Sequence, residues 1–160
     1  MLNHHQMKVI LVPIFGMFVL FLLGSFAKNP PESFFVKVEV ENLRNDIGNV
    51  QFALYNKDGS IPDEHYKKHF KIGTAEILNG KSSYTFMNLP EGTYAVNILH
   101  DEDKNGKIDK GFILPKEGIG FSNYSSIGLS NRPNFSKASF VVTSDRKIKV
   151  KVIYMGGFKL

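Results

Sequence analysis

From Phe34 to Glu41 the chain reads FFVKVEVE, with Val36, Val38 and Val40 alternating against Lys37, Glu39 and Glu41. A two-residue period puts one set of side chains on each face of an extended strand, so one face is buried and the other wet. The period recurs. NVQFALYN (49–56) sets Val50, Phe52 and Leu54 on one face, and TYAVNILH (93–100) does the same with Tyr94, Val96 and Ile98. KIKVKVIYM (147–155) sets Ile148, Val150, Val152 and Tyr154 against lysines. KIGTAEIL (71–78) and KSSYTFMN (81–88) flank Asn79-Gly80, a pair suited to the positive φ angles of a hairpin turn, and predict a hairpin. KASFVVTS (137–144) and the final strand predict a second hairpin through Ser144-Asp145-Arg146.

No long stretch carries a helical period. IPDEHYKKHF (61–70) breaks the alternation, and Pro62 followed by Asp63 and Glu64 predicts a short helix. About seven short strands with turn signals, and no βαβ rhythm, predict an all-β fold. The expected architecture is an antiparallel β-sandwich of Ig-like or prealbumin-like type. One long loop interrupts it, from Asp101 to about Ser136. Loops beyond about 12–15 residues are uncommon unless functional or disordered. This one carries Phe112, Ile113, Leu114, Ile119, Phe121, Tyr124, Leu129 and Phe135, and should pack.

The first 27 residues are of another kind. Lys8 precedes an unbroken apolar run from Val9 to Leu23, and Ser25 and Ala27 are small residues placed for cleavage after Ala27. That is the pattern of a secretory signal peptide; the alternative is an uncleaved membrane anchor. The run is short for a spanning helix, which needs about 20 apolar residues. The expected organisation is therefore a signal segment (1–27), a spacer (28–33) and a sandwich domain (34–160). Export, periplasmic or extracellular, follows as an expectation. With no Cys among its 160 residues, the chain must be held by its core or by a metal rather than by disulfides. The net charge is +5, but the lysines are scattered among acids with no basic run longer than two. No nucleic-acid partner is expected. A membrane partner is expected only if the N-terminal segment stays attached. The remaining partner class is an envelope or extracellular ligand.

The long loop opens on HDEDKNGKID (100–109). Asp101, Asp103, Asn105, Gly106 and Asp109 fit D-x-D-x-N-G-x-x-D, the first nine positions of a calcium loop. There positions 1, 3 and 5 donate side-chain oxygens and position 6 is a Gly at a sharp turn. Position 7, here Lys107, donates a carbonyl, and position 9 donates often through water. Position 12 should be a bidentate Glu, but it is Phe112, and no helices are expected to flank the loop. Glu117 is the candidate to close the shell. Hard oxygen donors favour Ca²⁺. The bland alternative is a polar turn, since Asp, Asn, Gly and Lys are what turns use. A catalytic reading would take His100 and Glu117 as acid and base of an envelope hydrolase, which requires both to meet at one point in a pocket. Adjacent residues on a strand face opposite ways, so His100 and Asp101 do not pair by default. His65 and His69 have helical metal spacing but no third ligand nearby.

LPEGTYAVNILHDEDKNGKID, GFILPKEGIGFSN and RPNFSKASF together resemble the bacterial domain-of-unknown-function family 2141 over roughly Phe34 to Tyr154. Two departures are Leu114, where a Gly before the Pro is common, and Glu91 in place of a second Pro. The resemblance implies an exported protein and brings no activity. NLPEGTYAV is also similar to transthyretin-like and carboxypeptidase-regulatory-like sandwich modules, which speaks to the fold and not to a function.

Overall fold

A computed structural model describes residues 32–109 and 115–155. The expected signal segment, most of the spacer and Phe112 lie outside the described residues. Among the described residues nine strands form in the order β1 (Phe34–Glu41), β2 (Asn49–Tyr55), β3 (Lys71–Ala75), β4 (Lys81–Leu89), β5 (Gly92–Asp101), β6 (Gly118–Phe121), β7 (Phe140–Val142), β8 (Arg146–Lys151) and β9 (Ile153–Tyr154). One helical turn, α1 (Phe135–Ala138), precedes β7 and is capped by the Asn134 side chain, which accepts from the Lys137 amide.

The strands build a two-sheet β-sandwich. The smaller sheet runs β4-β1-β8 and the larger β3-β2-β5-β6-β9, with β7 joining the start of β5. Between the sheets lie Val36, Val38 and Val40 of β1, Phe52 and Leu54 of β2, Phe86 and Leu89 of β4, and Val96 and Ile98 of β5. These are the inward sets that the alternation predicts.

Two pairings differ from expectation. The Asn79-Gly80 turn forms, with both residues at positive φ and Leu78 and Lys81 exchanging backbone hydrogen bonds. The hairpin stops there, because β3 pairs with β2 in one sheet and β4 with β1 in the other. Likewise β7 pairs with β5 while β8 runs parallel to β1, so no second hairpin forms. Both turns carry the chain from one layer to the other. Residues 61–70 form turns rather than a helix. Tyr66 has φ +51, and the buried Asp63 carboxylate accepts the Lys68 amide at 2.7 Å, closing the segment locally.

The larger sheet is buried on both faces, which is why β2 and β5 are buried at nearly every position. Its outer face carries Ala53, Tyr55, Ala95, Leu99, Ile119 and Phe121. Ile61 and Tyr66 cover it from one loop, and Tyr124, Phe135 and Ala138 from the long one. The described part of the long loop thus packs and contributes β6 and α1, although Leu129 is 89% exposed, while Phe112, Ile113 and Leu114 lie outside the described residues.

Candidate functional site

The acidic loop begins where β5 ends. In β5, Tyr94, Val96, Ile98 and His100 face the inter-sheet core while Ala95, Asn97, Leu99 and Asp101 face outward. His100 is fully buried, and both ring nitrogens are engaged: Nε2 lies 2.9 Å from the Ile47 carbonyl and Nδ1 2.7 Å from the Tyr154 hydroxyl. A carbonyl only accepts, so Nε2 donates to Ile47, and a neutral ring then leaves Nδ1 to accept from the tyrosine. Tyr154 Oη in turn accepts the Arg44 amide at 3.1 Å.

Asp101, on the opposite face, is 2% exposed. Its two carboxylate oxygens accept the amides of Asn105 (3.1 Å) and Gly106 (2.9 Å). Asp103 accepts the Asn105 amide and side-chain Nδ2, and Asn105 Oδ1 accepts the Lys107 amide. These short-range bonds wind the loop around its own side-chain oxygens. The turn falls at Gly106, where φ is +73 and a side chain would be strained.

Glu117 enters through sheet pairing. Antiparallel β5 and β6 set His100 opposite Gly118, which places Glu117 across from Asp101 and on the same outward face. Gly118 is required there, since a Cβ would lie 2.3 Å from the Tyr154 ring. Glu117 is 4% exposed, and its oxygens accept the amides of Glu102 (3.0 Å) and Asp109 (3.1 Å), joining both ends of the loop. One oxygen from each of Asp101, Asp103 and Glu117 lies within 4.8 Å of the others. Among the described residues no cationic side chain forms an ion pair with any of the three.

The electrostatics follow from this crowding. Burial raises the pKa of Asp101; the Gly106 and Asn105 amides oppose the rise and Asp103 adds to it. Burial likewise raises Glu117, against the amides of Asp109 and Glu102, with the charges of Asp101 and Asp103 pushing further up. Desolvation acts on Asp103 too, but the Asn105 amide and the Asp101, Asn105 and Asp109 side chains outweigh it, and its pKa is lowered. The neighbouring Glu102 is held low chiefly by Arg44, whose guanidinium grips both carboxylate oxygens and lies over the Tyr154 ring.

The structure therefore brings Asp101, Asp103 and Glu117 together, with Asn105 and Asp109 bound into the same loop and Lys107 exposed beside them. It does not bring His100 to Glu117, since the two face opposite sides of the sheet. His69 Nδ1 is engaged by the Tyr66 carbonyl, and no helix aligns it with His65. Ser122 and Asn123 have structural partners: Ser122 bonds the backbone of Val96 and Ala138, and Asn123 the Ser139 carbonyl. Sequence reasoning missed the Arg44–Glu102 clamp and the Tyr154–His100 chain. Only the unlike charges of Arg44 and Glu102 hinted at the first, and nothing local hinted at the second.

Fold and site together define a β-sandwich domain whose one long loop gathers carboxylates at the end of a central strand. The chain belongs to the bacterial family described as "Uncharacterized protein conserved in bacteria (DUF2141)", whose profile matches residues 38–150. No curated protein matches it. Among solved structures it is similar to the pilus-presented adhesin Spy0125 (Cpa), at 16% identity over 78% of this chain and 27% of that one, with a TM-score of 0.30. A cysteine-to-alanine variant of the same adhesin gives 16% identity, 78% and 28% coverage, and a TM-score of 0.27. The chain spans little more than a quarter of the adhesin's length, a likeness too distant to inform function.

Proposed function

We propose that the protein is an exported, non-enzymatic binding or structural module of the cell envelope whose loop at 101–109 is ordered by Ca²⁺. One observation carries the cation reading: two buried carboxylates and a third exposed one converge within 4.8 Å without a cationic partner among the described residues. Buried charges are ordinarily paired or bound to metal. Oxygens on one Ca²⁺, each about 2.3–2.6 Å from the ion, lie at most about 5 Å apart, so the spacing fits. Asp101, Asp103, Asn105 and Asp109 would supply side-chain oxygens, Lys107 a carbonyl, and Glu117 the ligand that Phe112 cannot. The export reading rests on the apolar run from Val9 to Leu23 followed by Ser25 and Ala27.

Metal analysis of the purified protein and a calcium titration of its thermal melting test the cation reading. Ca²⁺ raises the melting temperature, and Glu117→Gln abolishes the rise. If millimolar Ca²⁺ moves neither the melting temperature nor the tyrosine fluorescence, the reading fails. N-terminal mass analysis of protein recovered from outside the cytoplasm tests export, with a new N-terminus at Lys28 expected.

A further inference from the structure

A cavity of about 920 Å³ opens on the outer face of the larger sheet, within the size range of small-molecule sites. Its walls include Ile119, Phe121, Ile127 and Ile153. Asp63, Glu64 and Tyr154 also line it, the Asp63 carboxylate being held by the Lys68 amide and the Tyr55 hydroxyl, and two further polar groups bear on what it could hold. Arg132 is exposed and lines the cavity, and its guanidinium makes no ion pair among the described residues. Asn97 lines it too. It is fully buried, and neither its amide nitrogen nor its amide oxygen has a hydrogen-bond partner.

That orphaned amide is the telling feature. Asn97 sits in the middle of β5, opposite Ala53 on one side and Phe121 on the other, and neither neighbour can pair with it. The Tyr55 hydroxyl beside it donates to Asp63, and the Asn97 amide comes near enough to ease the burial of that tyrosine without making a hydrogen bond of normal geometry. Buried polar groups in native proteins are nearly always satisfied, so one with a free donor and a free acceptor asks for a partner offering both. A secondary amide does so. A carboxylate suits Arg132, and an aliphatic body suits the walls.

We propose that this cavity binds an apolar organic acid carrying a secondary amide, the chemistry of an N-acylated apolar amino acid. Asn97 Nδ2 donates to the ligand carbonyl, Asn97 Oδ1 accepts its N–H, and Arg132 pairs with its carboxylate. Nearly all of the lining lies outside the acidic loop, so the inference stands apart from the cation reading.

Calorimetric titration of the full-length protein with N-decanoyl-leucine tests it, with decanoate as the amide-free comparator. Saturable one-to-one binding is expected, with N-decanoyl-leucine the tighter ligand. Arg132→Gln, at an exposed position, weakens both by about tenfold, as loss of a charge pair does. Asn97→Leu folds without its orphaned amide and loses the preference for the amide ligand. Three results would overturn the proposal. One is no saturable binding. Another is equal affinity for the two ligands in the unmodified protein, as when an ordered water alone satisfies Asn97. The third is binding indifferent to both substitutions, which would assign the amphiphile to the apolar N-terminal segment. Should Asn97→Leu fail to fold, the two-ligand comparison and Arg132→Gln decide.

Discussion

His100 and Asp101 are neighbours in the chain and equally buried, yet their situations are opposite. The histidine faces the inter-sheet core, where every polar atom of its ring meets a protein group, in a relay from the Arg44 amide through Tyr154 to the Ile47 carbonyl. The aspartate faces outward into a cluster of like charge, satisfied by amides but, among the described residues, by no cationic side chain. The first is a closed polar site, which holds the fold together. The second is an open one, and it is the site at which we propose a cation. A buried polar residue is thus no sign of function until its partners are counted.

Substitutions can break this contrast. The largest effect is expected at the closed site. His100→Ala leaves a cavity and strips Tyr154 and the Ile47 carbonyl of their partner, costing about 3–5 kcal/mol in urea unfolding. At the open site the lever is the ion. On the calcium proposal, the ion at about 100 times its dissociation constant is expected to add about 2.7 kcal/mol of stability, and none in Asp101→Asn or Glu117→Gln. Tyr154→Phe, which keeps the ring but orphans the histidine, is expected to cost about 2 kcal/mol with the calcium increment unchanged. The smallest effect belongs to the half-exposed clamp: Arg44→Ala costs about 0.2–1 kcal/mol, and less in high salt.

Acid titration sharpens the same contrast. The folded pKa values of Asp101 and Glu117 are raised. Between the ordinary carboxylate pKa of about 4 and those raised values, the unfolded chain has released protons that the fold retains. Without a bound cation, the contribution of this pair to stability therefore falls as pH rises through that window. Glu102 behaves oppositely. Its pKa is lowered, so its contribution is full above the unfolded value and lost as pH falls through the folded one. Urea unfolding from pH 3 to 7 should show a weaker high-pH decline in Glu117→Gln and a weaker acid loss in Arg44→Ala. A Glu117→Gln profile that overlays the unmodified protein's would refute the assignment of that decline.

Much of this was legible in the sequence. Val36, Val38 and Val40, Phe52 and Leu54, and Val96 and Ile98 announced their strands and inner face because one face of each is buried and the alternation follows. The pairing of those strands was not legible. Asn79-Gly80 marks where the chain reverses, but nothing local says which layer it enters next. Strand β6 was hidden for a different reason: Gly118, Ile119, Gly120 and Phe121 are all buried, so no alternation survives. The carboxylate loop was readable to its ninth position because its oxygen-bearing residues are close in sequence. Glu117 stood out only as the next acid along. What places it opposite Asp101 is the β5–β6 register, a property of the folded sheet.

The parallel union of β1 with β8 has a consequence for how the domain comes into being. Val36 pairs with Arg146, so the opening strand waits for nearly the whole chain before its sheet is complete. Until then β1 has only β4 beside it and presents a bare edge. Pairings between such distant segments slow folding and expose intermediates to aggregation. A nascent chain cut short before residue 146 should therefore stay open, soluble only while something shields the valines of β1.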